Sequence, residues 1–145
     1  MVDFNFNFGR PKRNILKLGK VFDLSNIATD EYEMIILASI DGLTIDDLDN
    51  FSTLTSKESD PSQYTKPNVP LQLNETTTGY QINVSGNSIA IPISNATVAG
   101  LLIVKSDTGD ILAADFEETP IIMTKELTVT FQEALWEISL EQINS

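Results

Sequence analysis

Val98-Ala-Gly-Leu-Leu-Ile-Val-Lys-Ser-Asp-Thr-Gly-Asp-Ile-Leu-Ala-Ala-Asp-Phe116 is the stretch around which the chain is organised. Two apolar runs, Leu101–Val104 and Ile111–Ala114, flank the turn Ser106-Asp107-Thr108-Gly109-Asp110. Asp accommodates tight turns and Gly takes a positive φ without steric cost, so the pattern predicts a β-hairpin. Runs that are apolar at every position predict strands buried on both faces, in the middle of a sheet.

Downstream of the hairpin the sequence continues to read as strand. Ile121–Met123, Leu127–Phe131 and Leu135–Leu140 are short apolar or alternating segments, with Thr128 and Thr130 between Leu127, Val129 and Phe131. Trp136 sits in the last of them, where a core role is expected. Upstream, Leu71–Leu73 is a short strand. Tyr80, Ile82 and Val84 alternate with Gln81 and Asn83, and Ser85–Ser88 turns the chain into Ile89, Ile91 and Ile93. Pro92 confines that last strand to an edge or a bulge, because proline donates no ladder hydrogen bond.

Lys57–Pro70 is polar, carries Pro61, Pro67 and Pro70, and reads as a surface loop. Asp41–Leu54 is the best helix candidate: Ile45, Leu48, Phe51 and Leu54 share a face, Thr44 can cap, and Asp46 and Asp47 suit the first turn. Tyr32–Ser39 is an apolar, β-branched central strand, and Lys20–Leu24 a further one. Many short strands at regular spacing predict a mostly β fold, a β-sandwich or jelly-roll-like barrel, with one short helix and an extended N-terminal arm. The arm covers residues 1–13 and a single β-sandwich domain covers 14–145.

In the arm, Phe4, Phe6 and Phe8 alternate with Asn5 and Asn7, and Gly9 and Pro11 break the pattern. Three aromatics on one face of a terminal strand are an aggregation hazard in water. The arm therefore pairs with this domain's own sheet or with the edge of a neighbouring subunit. Arg10, Lys12 and Arg13 follow, so Phe4, Phe6, Phe8, Arg10, Lys12 and Arg13 form the candidate interface.

Charge is distributed unevenly. Residues 1–20 hold five cations against one anion, a net of +4; the rest hold four cations against twenty anions, a net of −16. An acidic body repels nucleic acid and anionic membrane, so neither is an expected partner. The basic stretch can meet an acidic partner or another copy's acidic body, or serve as a solubilising tail.

The chain of 145 residues has neither cysteine nor histidine. That excludes disulfides, thiolate chemistry, the commonest general base and the commonest transition-metal ligand. No apolar run approaches the roughly 20 residues of a membrane span, and the alternating N-terminus is not a secretory signal. A soluble protein at home in a reducing cytoplasm is expected.

Catalysis would need a Ser or Thr activated by Lys, or paired carboxylates, for which Asp110, Asp115, Glu117 and Glu118 are close in sequence, although twenty-one acids make such proximity common. No catalytic residue, cofactor or metal ligand is assigned. Asp41, Asp46, Asp47, Asp49 and Asn50 are oxygen ligands without the alternation and central Gly of a calcium loop, and read as a solvated helix start. Asn74, Asn83 and Asn95 match glycosylation acceptors, read as coincidental. Tyr64 and Tyr80 are the loop-adjacent aromatics that a carbohydrate-binding module would use.

The order of segments resembles small structural proteins of tailed bacteriophages. The resemblance rests on Phe22-Asp-Leu-Ser25, Tyr32–Leu37, Asp47–Phe51, Thr77-Thr-Gly-Tyr80, Ala96–Val104, Asp107-Thr-Gly109, Ile111–Phe116, Leu127–Phe131 and Leu135–Leu140. It covers residues 14–140; Leu71–Thr78 departs from it in lacking the glycines usual there. The resemblance implies a non-enzymatic virion component assembled in the host cytoplasm. A capsid cement or decoration protein, often trimeric, is the first expectation, with the major capsid protein or its own copies as partners. A neck, tail or baseplate component, or a carbohydrate-binding tail or fibre module, is the alternative.

Overall fold

The computed structural model describes residues 3–5, 26–43, 50–86, 88–131 and 134–139, with the backbone alone at 3–5, 117–119 and 136–139. The predicted strand Lys20–Leu24, the helix-cap residue Thr44, and Ile45 to Asp49 lie outside the described residues, as does the side chain of Trp136.

The fold is mostly β. Its strands are β1 (Asp3–Asn5), β2 (Tyr32–Leu37), β3 (Leu71–Glu75), β4 (Gly79–Val84), β5 (Ser88–Ile91), β6 (Ala96–Lys105), β7 (Ile111–Met123), β8 (Leu127–Thr130) and β9 (Trp136–Ser139). They form three three-stranded sheets, ordered β2-β6-β7, β1-β8-β5 and β3-β4-β9. All pairs are antiparallel except β1 with β8. No described helix is long and apolar enough to cross a membrane.

The hairpin β6–β7 is the centre of the structure, as its sequence predicts. Its turn closes with Gly109 N–H on the Lys105 carbonyl at 2.7 Å and Lys105 N–H on the Asp110 carbonyl at 2.9 Å. Gly109 has φ 79°, a backbone state that Gly reaches without a Cβ clash. Ile35, Leu37, Leu102, Val104, Ile111 and Ala114 pack on one face of the sheet. Tyr32, Met34, Ile36, Leu101, Ile103 and Ala113 pack on the other. Burial on both faces explains the unbroken apolar runs.

The pairing shifts between Ile103 and Val104, whose partners are Ala113 and Ile111. Leu112 is the extra residue, a β-bulge that places Leu112 and Ala113 together on one face. A second shift falls between Val98 and Gly100, whose partners are Ile121 and Phe116. Residues 117–120 bulge there, so Ile121–Met123 continues β7 and is not a separate strand. Pro120 is accommodated because β7 lies at the end of its sheet order. A Cβ on Gly100 would stand 3.0 Å from the Phe116 ring and 3.3 Å from the Asp115 carbonyl, so a side chain here would press on both neighbours.

One face of the central sheet meets side chains from the other two sheets, including Leu71, Ile82, Ile91, Leu127 and Val129, in one buried cluster. The opposite face is covered by Ile40, Leu43, Phe51 and Leu54. Leu43, Phe51 and Leu54 belong to the segment expected to be helical, and the structure corrects that expectation. Asn50 is extended, at φ −138° and ψ 138°, and the chain then makes three-residue 3-10 turns at Phe51–Thr53 and Thr55–Lys57. A continuous helix over Asp41–Leu54 is therefore excluded. Apolar residues three apart match the three-residue period of 3-10 structure as well as an α-helical face.

β4 and β5 are joined by the predicted turn at Ser85–Ser88 but belong to different sheets. Pro92 falls just after β5, an edge strand, in agreement with the sequence.

Candidate functional site: the covered sheet edges

Strand edges are the natural interaction sites of a β protein, because their unpaired backbone groups can bond another chain. At β2 the edge away from β6 is sealed from within. Residues 57–69, expected to be an exposed loop, form a strap along it.

Each end of the strap pairs with β2. Ala38 N–H bonds the Lys57 carbonyl at 2.7 Å and Ser59 N–H bonds the Ile36 carbonyl at 2.9 Å. Met34 N–H bonds the Pro67 carbonyl at 3.1 Å and Val69 N–H bonds the Tyr32 carbonyl at 2.8 Å. Between these ends the Ile36 N–H faces the strap, and it donates to the Tyr64 hydroxyl at 3.2 Å. A side chain thus supplies the acceptor where the strap's own backbone does not. Tyr64 in turn donates to Glu58 Oε2, which also pairs with Lys66 Nζ at 3.2 Å.

Burial holds the Tyr64 phenol well above its ordinary pKa of 10.0, and its hydrogen bond to Glu58 pushes the same way. It therefore stays a neutral donor. Tyr32 is also raised, by burial first and then by the Asp30 and Asp107 carboxylates. Ser59, buried at 2% exposure, donates its hydroxyl to the Thr97 carbonyl of β6. The strap's middle is tied down too: Ser94 N–H bonds the Gln63 carbonyl at 2.7 Å and Thr65 N–H bonds the Pro92 carbonyl at 3.1 Å. The three prolines signal irregular backbone, as the sequence suggests, but Tyr64 and Val69 point inward.

Tyr64 is consequently no exposed aromatic for a sugar, and Tyr80 is half-buried. Asn50 is likewise engaged. Its Nδ2 donates to the Thr108 carbonyl and to Asp110 Oδ1, each at 2.9 Å, and its Oδ1 accepts from Ser52 N–H at 2.9 Å. With Phe51 N–H on the Gly109 carbonyl at 2.8 Å, Asn50 fastens the covering segment to the hairpin turn. Asp110 also accepts from the Thr108 hydroxyl at 2.8 Å. Among the described residues no group of three or more acids forms a metal-ligating cluster. Asp46, Asp47 and Asp49, and the side chains of Glu117 and Glu118, lie outside the description.

The edge of β8 is covered differently. Asp3–Asn5 lies parallel to it, with Phe4 opposite Val129 and Asn5 opposite Thr130. Of the predicted interface residues, Phe4 is placed on this edge by its backbone, while Phe6, Phe8, Arg10, Lys12 and Arg13 lie outside the described residues. The exposed large apolar side chain of the described surface is Ile122 of β7, at 70%.

No known protein family, curated protein or solved structure matches this chain.

Proposed function

We propose that the chain is a non-enzymatic structural protein of a tailed-bacteriophage virion, a cement or decoration protein on the capsid surface. Its partners are the major capsid protein and further copies of itself, a trimer being the expected assembly. The observation that carries this reading is the convergence of separated segments. Tyr32–Leu37, Ala96–Val104 and Ile111–Phe116, three stretches on which the phage resemblance rests, are the three neighbours of the central sheet. Three sheets around the shared core as a sandwich or jelly-roll-like barrel belong to the same proposal.

The electrostatics support an outer position. A body of net −16 is repelled by packaged nucleic acid, and the basic N-terminal stretch can bridge to acidic surfaces. The inward-facing Tyr64 weakens the glycan-binding alternative.

Electron cryo-microscopy of particles of the phage that encodes the chain tests the proposal. Copies over capsomer junctions are expected. Copies confined to neck, tail or baseplate would move the protein there, and their absence from the particle would overturn the reading. Deleting residues 1–13 should abolish or sharply weaken particle binding, and unchanged binding would remove the arm from the mechanism.

A further inference from the structure

The described cover on β8 is the backbone of Asp3–Asn5. A net hydrogen bond contributes about 1 kcal/mol. Ordering a residue costs about 1–2 kcal/mol. By that balance, the backbone bonds of a three-residue parallel strand do not hold it in place by themselves. The β8 edge that remains is presented by a strand held on its other side by β5.

Chain length and charge indicate what else can occupy that edge. Residues 6–25, twenty in all, connect β1 to the first described residue of the domain. A segment of that length reaches at most about 65–70 Å. Such a reach permits a neighbouring subunit as well as its own. Two bodies of net −16 repel each other, and an arm carrying +4 that crosses between them offsets the repulsion. The contacts on β8 are the same whichever copy supplies the strand, so local concentration decides.

We infer that the β8 edge is a strand-acceptor site for a second copy of this chain, taking that copy's Asp3–Asn5 in the same parallel register, so that subunits in an assembly exchange arms. The inference deepens the proposed assembly role and rests on it for the neighbouring copy, but its test needs no particle.

The chain contains no cysteine, so introduced thiols are unambiguous. Asn5→Cys and Thr130→Cys stand opposite each other in register and can form a disulfide. Full-length single variants are mixed at high and low concentration and oxidised. A disulfide heterodimer is expected that grows with concentration and exceeds, by about tenfold or more, that formed between Asn5→Cys and the strap variant Ser62→Cys. Asp3→Cys with Thr128→Cys provides a second opposed pair should one variant fold poorly. Heterodimer no greater than the control, or a double variant that closes only within one chain at every concentration, overturns the inference. Cross-linking by a protein missing from particles would sink the virion reading alone. Particle binding without cross-linking would sink arm exchange alone.

Discussion

Along β2, the covering strap contributes four backbone hydrogen bonds, a tyrosine acceptor and a buried serine anchor, all from residues 57–69 of the same domain. Along β8, the described cover is the backbone of Asp3–Asn5, separated from Asn26 by twenty residues of sequence. Both edges are protected from uncontrolled pairing, and among the described side chains Tyr64, Val69 and Ser59 tie the β2 cover into the core. On β2 the edge is sealed by inward side chains as well as by a backbone neighbour.

The largest expected effect lies in the strap. Tyr64→Ala removes a buried ring and the acceptor for Ile36, and should cost about 3–5 kcal/mol in urea unfolding. Tyr64→Phe keeps the ring but leaves the Ile36 N–H without its acceptor and takes the phenol donor from Glu58, which keeps Lys66; a loss of about 1–3 kcal/mol is expected. A cost for Tyr64→Phe close to zero would mean that the hydroxyl bridge does not hold the strap.

Alkaline pH gives a third comparison. Tyr64 and Tyr32 have phenol pKa values raised in the folded state above the unfolded value of 10.0, so the native state holds its protons longer. Stability from this source is complete below pH 10 and falls as pH rises beyond it, by about 1.4 kcal/mol per pH unit for each tyrosine. Tyr64→Phe should flatten that decline by one tyrosine's share. A smaller loss, about 1 kcal/mol, is expected for Asn50→Ala, which unfastens the segment before the strap from the hairpin turn. Smallest is deletion of residues 1–5, expected to change unfolding stability by less than about 1 kcal/mol. A deletion as costly as Tyr64→Ala would erase the distinction between the two covers.

The hairpin β6–β7 is legible in the sequence because its signals are local: apolar runs on either side of a turn whose Asp and Gly suit its geometry. The mostly β character and the edge position of β5, marked by Pro92, are legible for the same reason. The strap is not. Its prolines announce irregular backbone, but its partners on β2 are some thirty residues away, and polar composition hides the inward Tyr64 and Val69. The expected helix failed at Asn50, where a tertiary bond to Asp110 overrides a spacing that suited two kinds of helix. Of the candidate interface, the sequence marks the arm through its Phe-Asn alternation. It carries no signal for β8 as the acceptor, since Leu127–Thr130 alternates like any half-buried strand.

Native-state hydrogen exchange tests the central contrast most directly. The account predicts that the amides of Met34, Ile36 and Val69 exchange only through opening close to global unfolding, while those of Asp3–Asn5 exchange orders of magnitude faster through local release of the arm. Equal protection of Asp3–Asn5 and Ile36 would contradict it, for the arm would then be as much a part of the sealed fold as the strap.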